Sequence, residues 1–362
     1  MSIYLQRDDS QEEIMSVVTT ARDTLNGNGL NGHLNRQAPP GVVEPTGHDT
    51  RQRMSEAIHY FKRAVHQVDK VTIKNHDQVP EAEAMMVPEA FLRLHAVLGE
   101  LLGDPSGVPD QVGEHLGIHI QQEFLPYLLL TQNGERWYAK PRGYAGDFLT
   151  IEMIYQNSPA GWGRLGPLLD RCLLDLPAAR AVRHRRGLLA EAIADVVATK
   201  GDQVARVTSL ACGPARELFD VFPLLENPSQ LHASLIDFDL QALAFVAERR
   251  DRLKLQRSMS LINENLIHLA VGRRSVDLKE QDLIYSVGLI DYLSDPLVLK
   301  LLDLIHTMLA PGGKVILGNF HPRNPCKAFM DHVLEWRLIH RTEDDMHRLY
   351  AQSAFGRPCT NI

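Results

Sequence analysis

Long apolar runs, paired cysteines and a surplus of basic residues are all missing from this sequence. No stretch approaches the roughly 18 apolar residues that a membrane-spanning helix needs, so no transmembrane helix is expected. The polar, acidic start, MSIYLQRDDSQEE, lacks the basic residues and apolar core of a secretory signal. These absences predict a cytoplasmic protein without a membrane span.

Cysteine and net charge exclude two further classes of site. The chain has 4 cysteines, and no two of them form a C-x-x-C pair, so a metal site such as a zinc site is not expected. Free thiols suit a reducing compartment. The formal net charge is −7. Since phosphate backbones are bound by basic surfaces, we do not expect a nucleic acid as the partner.

The chain divides into three regions by composition. Residues 1–48 are rich in Asn, Gly and Pro with few large apolar side chains, so we expect them to be poorly ordered. Residues 49–200 contain segments such as MSEAIHYFKRAVHQVD, whose apolar side chains recur three to four positions apart, as in amphipathic helices. We predict that this helical region caps the third region, residues 201–362, and shapes a binding pocket.

In the third region, short apolar runs alternate with helical patterns. Five segments predict strands: VARVTSL, HASLIDF, SMSLINENL, DLIYSVG and GKVILGNF. Strands separated by helices form βαβ units and a mostly parallel sheet, whose strands are apolar throughout because both faces are buried. The predicted fold class is therefore α/β, a doubly wound Rossmann-like sheet preceded by helices. After the fifth strand PCKAFMDHVLEW predicts a helix, and the remaining residues suffice only to begin a sixth strand.

In a doubly wound sheet, ligands bind beyond the carboxyl ends of the strands. The first strand is followed by LACGPARE, which either lets a ligand approach the backbone closely or is only a tight turn. The second ends at Asp237, whose carboxylate suits the two hydroxyls of a ribose. Asn263, Glu264 and Asn265 follow the third strand and either read an adenine amine or form a polar turn. Pro-Gly-Gly at 311–313 predicts a turn with positive φ.

These motifs together resemble a known family. LACGPARE, LIDFDLQAL, DLIYSVGLIDYLSD and LAPGGKVILGNF, in this order, are similar to the successive motifs of class I S-adenosylmethionine-dependent methyltransferases. A nicotinamide-dependent oxidoreductase would explain the first two motifs but not the last two. The chain departs from the family pattern at Ser209, where an acidic residue is usual, and at Ala211 and Ala215, where glycines are usual.

The resemblance implies S-adenosylmethionine as the cofactor and assigns its binding residues. The turn after the first strand would cradle the methionyl part, the acid after the second would hold the ribose, the polar cluster would lie near adenine, and the end of the fourth strand would floor the pocket. The implied residues are Ala211, Cys212, Gly213, Pro214, Ala215, Asp237, Phe238, Glu264, Asn265, Ser286, Val287 and Gly288.

A narrower resemblance concerns the acceptor. KPRGYAGD, GLIDYLSD and NFHPRNPCKAFMDHVLEWRLIHRTEDDM look like segments of bacterial methyltransferases that make 3-hydroxy fatty acid methyl esters, which are quorum-sensing signals. This implies O-methylation of a fatty acid carboxylate. A carboxylate is already ionised near neutral pH and needs no general base, whereas a phenol or alcohol acceptor benefits from one.

Several side chains are candidates for the acceptor side. His321 and Tyr292 follow predicted strands and are the candidate catalytic residues. Arg142, Tyr144 and Asp147 lie in a Gly-rich loop that is either a lid over the ligands or a plain turn between helices. The basic cluster Arg180 to Arg186 either attracts an acidic acceptor or is a solvated helix face, and Trp336 and His340 are predicted on one face of a helix.

Three rival functions stay open on the sequence alone. The same fold could act on a phenol or amine, in which case His321 would act as the base. A chain that departs from the motif at Ser209 could also bind the cofactor without catalysis and act by interaction. A nicotinamide-dependent oxidoreductase is the third. In all cases the expected partner is a small molecule, and the unpaired sheet edge favours an oligomer.

Overall fold

The computed structural model describes residues 3–6, 47–103 and 110–362. Its first part is helical, as its apolar spacing predicts. The helices are α1 (Gly47–Lys74), α2 (Met86–Leu102), α3 (Asp110–Leu128), α4 (Gln132–Ala139), α5 (Phe148–Gln156), α6 (Gly166–Leu174) and α7 (Pro177–Lys200).

The apolar stripe of α1 explains how this helical part packs. Ile58, Phe61, Val65 and Val68 are all buried, because side chains three and four apart share one face of a helix. The ring of Phe61 lies 5.3 Å from that of Phe124 on α3, between ring centroids. Burial of this stripe holds α1, α2 and α3 together around an aromatic core.

The second part alternates strands and helices. Its strands are β2 (Ala205–Leu210), β3 (Leu231–Asp237), β4 (Met259–Asn263), β5 (Gln281–Val287) and β6 (Leu309–Gly318). Its helices are α8 (Arg216–Val221), α9 (Leu240–Arg252), α10 (Leu266–Ala270), α11 (Asp295–Met308) and α12 (Glu343–Gln352). The five predicted strands are present, and helices pack on both faces of the sheet.

The strand order confirms the predicted doubly wound sheet. The order is β1-β6-β5-β2-β3-β4, and all pairs from β6 to β4 are parallel. From β2 the chain moves outward through β3 and β4, and then crosses back to β5 on the other side of β2. The gap between β2 and β5 is therefore the point where the winding direction reverses, which is where ligands bind in such sheets.

The edge of the sheet differs from expectation. Strand β1 (Ile3–Gln6) pairs antiparallel with β6, with Ile3 opposite Leu317. The edge of β6 is thus covered by a segment that the composition predicted to be poorly ordered. Residues 7–46 of that predicted segment lie outside the described residues. A sixth strand after β6 does not form among the described residues, where α12 follows instead.

Two local predictions need correction. Pro311 to Gly313 lie inside β6, where the register against β5 shifts, and Gly312 has a φ of +73°. The positive φ is as predicted, but it makes a bulge and not a turn. The helix predicted for PCKAFMDHVLEW ends early, because a π-helical turn at Phe329–Val333 is followed by Glu335 with a φ of +50°.

Side chains from the sheet region pack into the core of the helical region. Phe329 and Met330, which follow β6, are buried in the aromatic core of the helical region. The Phe329 ring lies 5.9 Å from Phe91 on α2 and 5.7 Å from Phe124, between ring centroids. None of the helices that the structure describes is long and apolar enough to cross a membrane.

Candidate functional site

A cavity of about 390 Å³ opens at the carboxyl ends of β2, β3 and β5. It lies at the reversal point of the sheet, and the loop after α4 together with helices α5 and α7 closes it from the opposite side. Its volume is within the range of small-molecule sites. The first wall is formed by strand ends and turns, which we call the sheet wall. The second is formed by residues 144–155, 182–185 and 320–338, which we call the helix wall.

The turn after β2 presents its backbone to the cavity. Ala211, Gly213 and Ala215 have φ values of +54°, +52° and +47°, in the left-handed region. Alanine adopts this region at a cost of about 1 kcal/mol or more, so the strain is held by surrounding structure. Cys212 and Pro214 also line the cavity. Burial raises the pKa of the Cys212 thiol, so it is a poor nucleophile.

Asp237 closes this turn from the end of β3. One carboxylate oxygen accepts a hydrogen bond from the backbone N–H of Gly213 at 3.0 Å, and the other accepts from the N–H of Asp239 at 2.9 Å. Burial raises the pKa of Asp237, although these backbone donors oppose the shift. Phe238 follows it, lines the cavity and is 56% exposed. A fixed acceptor thus stands beside an exposed flat apolar surface.

The loop of residues 140–147 lies over this corner. Arg142 donates to both oxygens of Asp239, at 2.6 Å from Nη2, and Tyr144 donates to the same carboxylate at 3.0 Å. The rings of Tyr144 and Phe238 are 5.5 Å apart between centroids. Burial alone would raise the pKa of Asp239, but the hydrogen bonds from Arg142, Gln241 and Tyr144 lower it. Tyr144 lines the cavity, while Arg142 holds the loop down.

Asp147 plays a different part from the one predicted for the loop. It is buried, accepts from Arg136 at 2.6 Å, and caps α5 by accepting from the N–H groups of Leu149 and Thr150. It does not line the cavity. The residue shapes the loop by fixing the start of the next helix.

The end of β5 forms the floor. Val287 and Gly288 line the cavity, whereas Ser286 is buried behind them and donates to the backbone oxygen of Leu210 at 2.8 Å. Gly288 has a φ of +94°, and a Cβ at this position would come within 3.2 Å of Nη1 of Arg185. The absence of a side chain therefore lets the guanidinium approach the strand end.

The sequence named Arg185 only as a member of the basic cluster Arg180 to Arg186, without distinguishing it from the other members. Among the described residues that line the cavity it is the one cation. Its Nε is buried without a hydrogen-bond partner among the described residues. Its neighbour Arg186 is paired with Asp220 at 2.5 Å. A signal was present, since Arg185 lies three positions after Val182 and four before Leu189, both buried, and therefore falls on the inner face of α7.

Asp291 faces the same part of the cavity. It is 1% exposed, and one carboxylate oxygen accepts from the N–H of Phe320 at 2.6 Å. Burial raises its pKa to about 6, although the Phe320 N–H, Arg185 and Arg341 oppose the shift.

Tyr292 links the two walls. Its hydroxyl donates to the backbone oxygen of Ala145 at 3.1 Å and accepts from Nε1 of Trp336 at 2.8 Å. Burial raises its pKa above the ordinary value, so it stays protonated near neutral pH. Tyr292 and Trp336 both line the cavity. The prediction that Trp336 and His340 share a helix face is wrong, because residues 335–340 are not helical.

His321 is not brought to the cavity. Its Nε2 lies 2.9 Å from Glu343 at the start of α12, and its Nδ1 accepts from the N–H of Arg323 at 3.0 Å. Phe320 lines the cavity in its place. The strand β6 ends at Gly318 and the chain turns at Pro322, so the adjacent side chains of Phe320 and His321 face different surroundings.

Glu264 and Asn265 do not line the cavity either. Asn265 caps α10 by accepting from the N–H groups of Ile267 and His268. Asn263 donates to the backbone oxygens of Asp237 and Phe238, each at 3.0 Å, and so supports the turn that carries them. Ile267 reaches the cavity from the next helix.

One family model and several solved structures are similar to this chain. A family model described as "Putative methyltransferase" matches residues 142–357. A structure described as a "possible exported protein" from Bordetella parapertussis is similar at 19% identity and a TM-score of 0.51, over 74% of this chain and 88% of that chain. At that identity the likeness shows the fold alone. No curated protein matches the chain.

Two methyltransferase structures are similar over a smaller share. Geranyl diphosphate C-methyltransferase from Streptomyces coelicolor has 11% identity and a TM-score of 0.36, over 48% of this chain and 61% of that chain. Magnesium protoporphyrin IX methyltransferase from Synechocystis has 10% identity and a TM-score of 0.37, over 48% and 75%.

Proposed function

Because this chain belongs to the methyltransferase family whose model matches residues 142–357, we propose that it transfers a methyl group from S-adenosylmethionine to a small acidic molecule, a fatty acid or 3-hydroxy fatty acid carboxylate. The observation that carries the cofactor assignment is Asp237 at the carboxyl end of β3, fixed by the Gly213 N–H against the strained turn after β2. Ribose hydroxyls are suitable donors to this carboxylate.

The residues present fit this cofactor. The turn at 211–214 offers backbone groups to a charged amino-acid tail, and Asp237 offers its carboxylate to two hydroxyls. Phe238 and Ile267 offer apolar surface to a flat base. S-adenosylmethionine supplies a methyl group on a positively charged sulfur, so the chain itself must align the acceptor and exclude water.

The helix wall provides the means to align an acid. Arg185 is the one cation among the described residues that line the cavity, and guanidinium groups pair with carboxylates in a planar, two-bond geometry. Around it the wall is largely apolar, with Ile151, Val182 and Phe320. We therefore infer that Arg185 holds the acceptor carboxylate and that the apolar wall excludes water from it.

A second candidate acceptor is favoured by one observation. Asp291, whose pKa burial raises to about 6, is placed to take a proton from a phenol or alcohol. His321, which pairs with Glu343, is not. An acceptor of this class would show a rate that rises with pH through about 6 and collapses in Asp291→Asn. A carboxylate acceptor, ionised throughout this range, would show neither feature.

The acceptor assignment is tested with Arg185→Ala. We expect the KM for a 3-hydroxy fatty acid to rise by about 30- to 100-fold, the loss typical of a buried charge-assisted pair, with unchanged affinity for S-adenosylmethionine. Methyl ester formation is measured by mass spectrometry. Arg180→Ala, on the exposed face of the same helix, is the matched control and should leave KM unchanged. Equal KM values in the native chain and Arg185→Ala would contradict the assignment.

A further inference from the structure

A second, smaller cavity of about 50 Å³ adjoins the first on the helix wall. The two cavities share three lining side chains, Val182, Phe320 and Trp336. The rest of the second lining comes from α4, α5, the start of α7 and the segment 326–334, so this space lies between the helical region and the sheet. None of the side chains that line it is charged.

Most polar side-chain atoms in this lining are occupied or weak. The exception is the buried Nε1 of Trp137, which has no hydrogen-bond partner among the described residues. The thiol of Cys326 accepts from the N–H of Ala178 at 3.4 Å, and burial raises its pKa to about 11, so it stays neutral. The indole N–H of Trp336 is donated to Tyr292. Since the lining carries no charge and Trp137 offers a single spare donor, the occupant that fits is a largely hydrocarbon segment with room for one hydrogen-bond acceptor at most.

The position of the charge fixes the direction of such a segment. Val182, at the boundary of the two cavities, lies three residues before Arg185 on α7, which is about 4.5 Å along the helix. The cation faces the first cavity and the uncharged space begins one helical turn away. An amphipathic acid whose carboxylate pairs with Arg185 would thus direct its chain across Val182, Phe320 and Trp336.

We propose that the second cavity is the subsite for the far end of the acceptor's hydrocarbon chain, and that Val182, Phe320 and Trp336 form the partition that limits how much chain enters. This rests on the proposed carboxylate acceptor. The subsite binds chain carbons by burying apolar surface, so affinity rises by about fourfold for each methylene that enters and then levels off. Because the space is small, the rise ends after a few carbons.

The test is calorimetric binding of straight-chain saturated acids that differ by one methylene. In Ala179→Leu, which narrows the second cavity, the affinity stops rising at a shorter chain length than in the native chain. In Met330→Ala, which widens it, the affinity stops rising at a longer chain length. The matched control is Ala181→Leu, on the exposed face of the same helix, where the profile stays as in the native chain. Circular dichroism checks folding, and Met330→Ala keeps the test valid if Ala179→Leu does not fold.

The outcomes separate this inference from the proposed function. One outcome is an affinity that rises with chain length and levels off at a different length in each variant, without any ester formation. It supports the subsite and overturns the acceptor chemistry. Ester formation with a chain-length profile that neither variant moves overturns the subsite and leaves the function standing. Binding that is absent, or independent of chain length in the native chain, also overturns the subsite.

Discussion

The two walls of the cavity are built in different ways. The sheet wall consists of strand ends and the turns that directly follow them, and its main contacts, such as Gly213 N–H to Asp237, involve backbone groups. The helix wall is assembled from segments far apart in the chain, and it depends on how their side chains pack, as the ring of Trp336 does against Gly146. One wall is fixed by the sheet itself, whereas the other depends on the packing of two regions.

This difference assigns distinct tasks to the walls. A backbone-built wall changes little when side chains vary, which suits the proposed cofactor, S-adenosylmethionine, because its structure does not depend on the acceptor. A wall made of side chains from several segments is readily reshaped, which suits an acceptor that differs between enzymes. If this division holds, substitutions on each wall should affect one ligand and spare the other, and substitutions at the contacts between the walls should affect stability.

The largest effect is expected where the walls are tied together. Glu152 on α5 is 2% exposed and pairs with Arg216 at the start of α8, with 2.6 Å between Nε and Oε2. Glu152→Ala leaves a partly buried guanidinium unpaired, so the free energy of unfolding should fall by about 3–5 kcal/mol in urea titrations.

The matched control is Glu248→Ala. Its pair with Arg252 is about 70% exposed on both sides and should contribute under about 0.5 kcal/mol. Similar small losses in both variants would mean that the two regions do not depend on the contact between Glu152 and Arg216.

The next effect concerns Asp291, which lies on the sheet wall but near Arg185 of the helix wall. Its pKa is raised to about 6, so the folded chain binds more protons than the unfolded chain between about pH 4 and 6. As pH rises from 4 to 7, the free energy of unfolding of the native chain should therefore fall by about 3 kcal/mol relative to that of Asp291→Asn. Urea titrations across this range measure it.

Asp345 provides a control of opposite sign. Hydrogen bonds from Thr342 and Arg348 lower its pKa to about 2, so its contribution to stability is present above about pH 4 and is lost as pH falls. Asp345→Asn should remove that loss on acidification. A stability difference between the native chain and Asp291→Asn that does not change with pH would contradict the assignment of the raised pKa.

The smallest effect is expected at Tyr292, where the walls meet through hydrogen bonds. Tyr292→Phe removes the bonds to Ala145 and Trp336 but keeps the ring, so we expect about 1 kcal/mol of lost stability. The acceptor KM should rise a few-fold because the loop at 140–147 is held less firmly. Calorimetry measures the stability and enzyme kinetics measures the acceptor KM. A fall in cofactor affinity as large as the rise in acceptor KM would contradict the assignment of separate ligands to the two walls.

The sheet wall could be predicted from the sequence because each of its parts is contiguous. The sequence shows a buried apolar strand, then a small-residue turn, then an acid at the end of the next strand. These three features predict that Gly213 and Asp237 lie at one edge of the sheet, where they form a hydrogen bond. The alternation of strands and helices predicted the doubly wound order in the same way. The antiparallel β1 was missed, since a strand of four residues beside a polar segment carries no periodic signal.

The helix wall could not be predicted, for identifiable reasons. Trp336 enters the cavity because the chain leaves its helix early. Glu335 adopts a φ of +50°, and the N–H of Trp336 donates to the backbone oxygen of Met330, a helix ending that usually has glycine at this place. Arg185 was hidden in a basic cluster, and only its spacing from Val182 and Leu189 distinguishes it. Arg185 and Phe320 line the same cavity although they are more than 130 residues apart in the sequence. No short sequence pattern predicts that two such distant residues meet.

The most direct test of the account is calorimetric titration of the folded native chain and of Asp237→Ala with S-adenosylmethionine. The account predicts micromolar binding to the native chain and a loss of about 100-fold or more in Asp237→Ala, because two hydroxyls lose a charged acceptor. Asp251→Ala, an exposed acid at the end of α9, should bind as the native chain does. A folded native chain that does not bind, or equal affinity in Asp237→Ala, would contradict the assignment of the sheet wall to the cofactor.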